Sequence, residues 1–163
     1  CMRIAVSACL LGEACRYDGR SKPCVRVQEL AALGHELVPV CPEVAGGLPT
    51  PRTPCEIAQA PWMESEKAHT ADERSWTILD ASGTDRTAAY ARGAQAELTR
   101  AKEAGCKLAI LKAKSPSCGS GEVYDGTFSG TLMPGWGIAA ATFRDAGITV
   151  IDETADFSRL SRM

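Results

Sequence analysis

Four short apolar runs, at residues 4–11, 36–41, 108–111 and 148–151, alternate along this chain with stretches of helical periodicity. A run of four to eight apolar residues bounded by turn residues reads as a buried strand. Helices between such strands make crossovers, and crossovers make neighbouring strands parallel. Residues 25–33 carry apolar side chains at 25, 27, 30, 31 and 33, which predicts an amphipathic helix stopped by Gly34. Ser82-Gly83-Thr84-Asp85 offers cap chemistry, with Thr84 or Asp85 as N-cap, for a long helix that runs to about Ala104. Its apolar face (Ala88, Ala91, Ala94, Ala96, Leu98 and Ala101) is built from small residues, so the helix can lie close to a sheet before Gly105 ends it. Residues 137–146 predict a further helix, ended by Gly147, ahead of the last strand.

The remaining segments have weaker patterns. Residues 43–54, "EVAGGLPTPRTP", are too rich in Pro and Gly for regular structure and predict a structured loop. Residues 63–74 read as a polar excursion, and 76–79 as a short strand. Residues 122–132 predict a hairpin with "YDG" at its turn, a second copy of the "YDG" at 17–19. The last dozen residues are polar and expected at the surface. The expected fold is α/β: a single Rossmann-like domain over residues 1–163, with a mostly parallel sheet, helices on both faces and a small hairpin excursion.

Composition narrows the function. With 45% apolar and 23% charged residues and a net charge of −2, bulk electrostatics give no reason to expect a nucleic-acid partner. No apolar run approaches the roughly 20 residues of a membrane span. The N-terminal segment enters a strand-like run without the longer apolar region and cleavage site of a signal peptide. Eight cysteines, at 1, 9, 15, 24, 41, 55, 106 and 118, form no C-x-x-C pair. A reducing cytoplasm, with some thiols as metal ligands or nucleophiles, is favoured over a disulfide framework. The two histidines, His35 and His69, stand in polar surroundings.

Parallel strands bring their C-terminal ends to one edge, where open α/β sheets bind ligands. Cys9 falls at the end of the first strand, Cys41 at the end of the second, and Cys118 in the loop after the strand at 108–111. Three thiols from separate segments therefore meet on one edge. Cys106 falls at the opposite edge and Cys24 ahead of a helix, and both read as structural. Three convergent thiolates suit a zinc ion with an open position, or a [4Fe–4S] cube with one iron open. The pattern leaves both open, beside a single nucleophilic cysteine and plain burial.

"VSACLLGEACRYDG" at 6–19, "CPEVAGGLPTPRTPCEI" at 41–57 and "KSPSCGSGEVYDGTFSG" at 114–130 resemble the thiouracil desulfurase family, and the likeness extends from about residue 4 to 153. The resemblance implies a [4Fe–4S] cluster held by three cysteine ligands, Cys9, Cys41 and Cys118, with one open iron for the substrate's sulfur. It gives Glu43 and Ser115 catalytic roles beside the cluster. It implies non-redox removal of sulfur from a small thiolated pyrimidine, with water as co-substrate, giving the oxo base and sulfide. The sequence departs from the family's pattern at Thr53 and Cys55, and Cys15 is an extra thiol near the motifs. Plainer roles stand beside these. Glu43 can cap a loop or pair with Arg52, and Ser115 can be a turn residue. Arg16, Tyr17 and Asp18 either line a pocket or form a turn. Two other functions fit the same residues. A non-catalytic iron–sulfur redox or sensor protein would saturate its cluster, for example through Cys15. A cluster-free hydrolase using Cys118 would need a nearby base, usually His, and neither histidine falls at a strand C-terminal end.

Overall fold

The computed structural model describes residues 2–60 and 76–157. Cys1, the expected polar excursion with His69, and the end of the C-terminal tail lie outside the described residues. Strands β1 (Arg3–Ser7), β2 (Glu36–Val40), β5 (Leu108–Leu111) and β8 (Thr149–Asp152) form one parallel sheet in the order β2-β1-β5-β8. The expected α/β architecture holds. Every residue of β5 is buried, as are four of the five in β1, because helices cover both faces of the sheet.

The strand alternation sorts the core into two layers. Ala5, Ala109 and Leu111 face helices α3 (Thr87–Glu103) and α4 (Ile138–Asp145), packing with Leu98, Ala101 and Phe143. Ile4, Val6, Leu108 and Ile110 face the other way, onto Val27 and Leu30 of helix α1 (Val25–Ala32) and Phe157 beyond β8. Gly34, at φ +94°, turns the chain after α1, as the sequence implied. The face of α3 differs from expectation. Ala94, Leu98 and Ala101 are buried, but Ala88 and Ala96 are exposed, and Tyr90 and Gly93 point inward instead. The N-cap position is Arg86; Asp85, one residue earlier, still accepts the Thr87 N–H at 2.8 Å.

Two small antiparallel pairs flank the sheet. The expected hairpin is β6 (Ser120–Tyr124) with β7 (Leu132–Trp136). The expected strand at 76–79 is β4 (Thr77–Asp80), and it pairs not with the main sheet but with β3 (Cys55–Gln59), which carries no strand signal in the sequence. A third apolar group, including Ile57, Ile78, Tyr90, Val123 and Ile138, fastens both pairs to α3 and α4.

The proline-rich stretch also contains an unexpected element. Pro42–Ala45 is a one-turn helix, α2, with proline in its first turn, where the missing N–H costs nothing. Tertiary contact holds it. A Cβ on Gly93 would lie 1.6 Å from the Pro42 carbonyl oxygen, and one on Gly46 would lie 1.9 Å from that of Ala89. The two glycines let the backbones of α2 and α3 touch, and that contact fixes the residues around Cys41 and Glu43.

Candidate active site

The chain runs from β1 outward to β2 and then returns to the other side of β1 as β5. This reversal opens a crevice at the C-terminal ends of β1 and β5. A cavity of about 460 Å³ lies there, and its walls include Cys9, Cys15, Cys41, Cys118, Glu43 and Ser115. All five residues singled out in the sequence therefore line one cavity.

Each thiol is placed by a different local device. Cys9 sits in a 3-10 turn, Ala8–Leu11, that Gly12 closes at φ +102°. Cys41 occupies the N-cap of α2. Cys118 is carried by the turn after β5, which α4 grips. The Ile138 N–H donates to the Pro116 carbonyl at 3.0 Å, and the N–H groups of Ala139 and Ala140 donate to that of Ser117 at 2.8 and 3.0 Å. These bonds satisfy donors that a helix start otherwise leaves unpaired. Gly137 and Gly119 allow the close approach, since a Cβ on either would come within 3 Å of backbone atoms of residues 115–117.

The Cys15 thiol interacts with both Cys41 and Cys9 across the cavity. Cys118 interacts with Ser7, whose hydroxyl accepts the Lys112 N–H at 2.8 Å, and feels Cys41 only electrostatically. Burial pushes the Cys118 thiol up to about 12. At Cys15, hydrogen bonding to Cys41 pulls downward, but Cys9 and burial outweigh it and the thiol stands at about 11. Cys15 and burial likewise raise Cys41. Neutral thiols are what a cavity of mutually close sulfurs enforces, and a bound cationic metal centre reverses this by deprotonating its ligands.

Glu43 and Ser115, separated by 72 residues in sequence, meet here, with the Ser115 hydroxyl donating to Glu43 Oε1 at 3.3 Å. Ser115 Oγ also accepts the N–H groups of Ser117 and Cys118, both at 3.1 Å. With its lone pairs engaged by the turn, its proton is left for Glu43. The turn role and the site role are thus one arrangement. The other oxygen of Glu43 pairs with Arg52, whose side chain is 5% exposed. Arg52 also donates to the Cys15 carbonyl at 3.0 Å. One guanidinium therefore braces both the carboxylate and the loop that carries Cys15.

The donor set is soft, with five cysteines, Cys9, Cys15, Cys41, Cys55 and Cys118, around one space, which suits an iron–sulfur centre. Among the described residues, no three of His, Cys, Asp or Glu are arranged to hold a metal ion directly. A cube spreads its thiolate ligands over separate corners rather than gathering them at one ion. Among the described residues, Arg52 Nε and Ser117 Oγ are buried without hydrogen-bond partners. Arg52 lines the cavity, so a buried donor remains there for an incoming group.

Sequence reasoning missed Tyr90 and Glu56. Tyr90 lines the cavity from α3 beside Cys55; burial and the nearby Glu43 raise its hydroxyl's pKa. Its only sequence signal is one aromatic residue in an alanine-rich face. Glu56, buried in β3, accepts the N–H groups of Gly126 and Phe128 at 3.0 and 3.2 Å and anchors the hairpin loop beside the cavity. Arg16 and Tyr17 of the first "YDG" turn line the cavity as well. His35 lies at the other end of the sheet, its Nδ1 accepting the Met2 N–H at 3.0 Å.

Fold and site define a class: a parallel α/β protein with a sulfur-rich small-molecule site, and a hydroxyl–carboxylate pair, at the switch point of its sheet. Residues 4–155 match the model of the 2-thiouracil desulfurase family, and the chain belongs to that family. It is 43% identical over 150 residues to an uncharacterised protein of Bacillus subtilis strain 168, YbbK, covering 92% of this chain and 95% of that one. It is also similar to a solved structure, the [4Fe-4S]-dependent thiouracil desulfidase TudS. That match has a TM-score of 0.80 and 42% identity, covering 94% of this chain and 92% of the other. No helix among the described residues is long and apolar enough to cross a membrane.

Proposed function

We propose that this protein is a thiouracil desulfidase that converts thiolated pyrimidines to the oxo base and sulfide, with a [4Fe–4S] cluster held by Cys9, Cys41 and Cys118. The observation that carries the reading is the Ser115–Glu43 contact inside a sulfur-lined cavity at the sheet's switch point. Family membership and the likeness to TudS support it. The free thiols suit a reducing compartment, the cytoplasm.

When bound, the cluster supplies an iron without a protein ligand, a soft Lewis acid for the thiocarbonyl sulfur. The chain's own residues do the rest. Glu43 takes a proton from the water that attacks the carbon bearing sulfur, and returns it to the departing sulfide. Thione plus water thereby gives oxo base plus hydrogen sulfide, with no net electron transfer. Arg52 holds one carboxylate oxygen in place, and the Ser115 hydroxyl orients the other. The grip of α4 on residues 116 and 117 fixes the turn that carries Cys118.

Anaerobically reconstituted Glu43→Gln and Ser115→Ala variants test the roles. Both are expected to keep wild-type iron content. Glu43→Gln should lose on the order of 10²–10⁴ in turnover of 4-thiouracil, the usual worth of an acid–base group. Wild-type turnover in Glu43→Gln would remove Glu43 from the mechanism.

A further inference from the structure

The two "YDG" triplets, at 17–19 and 124–126, have no task in the proposed function, yet the fold uses both in the same way. In each, the aspartate Oδ1 accepts the N–H two residues on: Asp18 that of Arg20 and Asp125 that of Thr127, both at 3.0 Å. In each, the glycine is left-handed, Gly19 at φ +77° and Gly126 at φ +92°. Both turns lean on residues 51–57. The Arg52 N–H donates to the Tyr17 carbonyl at 2.6 Å, and a Cβ on Gly126 would lie 2.7 Å from the Ile57 carbonyl oxygen. In each, the tyrosine lines the cavity. Glu43, Ser115 and the thiols can address the sulfur-bearing edge of a thiolated base, but not the two π faces of its ring. A cavity of about 460 Å³ is also larger than one pyrimidine ring fills, so edge contacts alone do not set the ring's plane. Tyr17 remains 42% exposed although the Arg16 guanidinium stands 5.9 Å from its ring centroid. An aromatic side chain left this open in a cavity wall is a stacking surface.

We propose that Tyr17 and Tyr124 are specificity-determining residues that hold the substrate's pyrimidine ring by its faces, selecting planar heteroaromatic thiones over non-planar ones. The inference rests on the desulfidase reading above for the identity of the ring, and it needs no iron. Each tyrosine is set by its own closed turn, and both turns bear on the segment that carries Arg52, the partner of Glu43. The ring platform and the carboxylate therefore share one support.

Equilibrium dialysis of the anaerobically reconstituted protein against uracil and 5,6-dihydrouracil tests this without turnover. The two ligands carry the same carbonyl and N–H groups, but only uracil is planar and conjugated. Wild type should bind uracil several-fold more tightly. Tyr17→Ala and Tyr124→Ala should each weaken uracil binding by roughly 5–100-fold, the usual worth of base–aromatic stacking, and dihydrouracil binding far less. Tyr17→Phe and Tyr124→Phe should retain wild-type affinity, and iron content should be unchanged in all four variants. Equal affinity of wild type for the two ligands would overturn the proposal. So would alanine variants that weaken both ligands alike, which would make the tyrosines merely structural, or phenylalanine variants as weak as the alanine ones. Failure of the cluster reading looks different: reconstituted wild type would hold no iron and still prefer uracil.

Discussion

Strand β5 ends in a cysteine region on both sides, and the two differ in almost everything except burial. Cys106 precedes the strand and Cys118 follows it; they are 4% and 5% exposed. Burial is the leading cause that raises both thiols. Cys106 is held by its own N–H, which donates to the Ala101 carbonyl at 2.9 Å, and its side chain packs against the apolar layer beneath α3 and α4. Cys118 touches the same layer but also faces a cavity shared with Cys41, Glu43 and Ser115. Residue type and burial do not separate a structural thiol from a site thiol. The edge of the parallel sheet does, because only at the C-terminal edge do loops of independent origin converge.

The largest expected effect breaks this contrast if it fails. Serine at Cys9, Cys41 or Cys118 should each abolish the bound iron, whereas serine at Cys24 or Cys106 should leave iron per chain unchanged. Iron retained in a Cys118→Ser protein would erase the difference between the two ends of β5. Next comes the backbone contact that supports the active edge. Gly93→Ala places a methyl where the Pro42 carbonyl stands. It should lower stability by about 1–3 kcal/mol in denaturant titration, although alanine is the better helix former. It should lower turnover too, because Glu43 shifts with α2. A stabilised Gly93→Ala would mean that α2 does not rest on α3 as described.

Cys106→Ser sharpens the comparison from the structural end. Burying a hydroxyl there should cost about 1–3 kcal/mol, with kcat unchanged. The smallest effect is expected at Asp80, well away from both thiols. The Ser82 hydroxyl, chiefly, with the Thr84 and Ser82 N–H groups and Arg86, holds its carboxyl below the ordinary range against the opposing effect of burial. Its contribution is therefore fully present above the unfolded carboxyl's pKa, about 3.9, and is lost as pH falls through the lower folded value. Asp80→Asn should be less stable than wild type at neutral pH, and the two should converge in strong acid. A constant gap across that range would remove Asp80's charge from the account.

The four main strands and the three longer helices were legible because each carries its own periodic signal. The edge assignment of Cys9, Cys41 and Cys118 followed from strand direction alone. Helix α2 and strand β3 were not legible. α2 is a single turn that exists through the Gly46–Gly93 approach, a contact between residues 47 apart in sequence. β3 is paired with β4 across the segment that reads as polar excursion. The Ser115–Glu43 contact was approached only through family resemblance, since no local pattern joins the two. Cys15 falls in a loop without periodicity, so its approach to Cys9 and Cys41 depends on how residues 12–22 fold back over their own starting turn.

The central claim is that the sulfur-lined edge binds a cluster and removes sulfur from a thiolated pyrimidine. The most direct measurement is iron, acid-labile sulfide and 4-thiouracil turnover on one anaerobically reconstituted sample. The account expects about four irons and about four sulfides per chain, the stoichiometry of a cube. It also expects uracil and free sulfide to form in equal amounts with no added reductant or oxidant. A reconstituted protein that stays colourless and iron-free and leaves 4-thiouracil unchanged would contradict it.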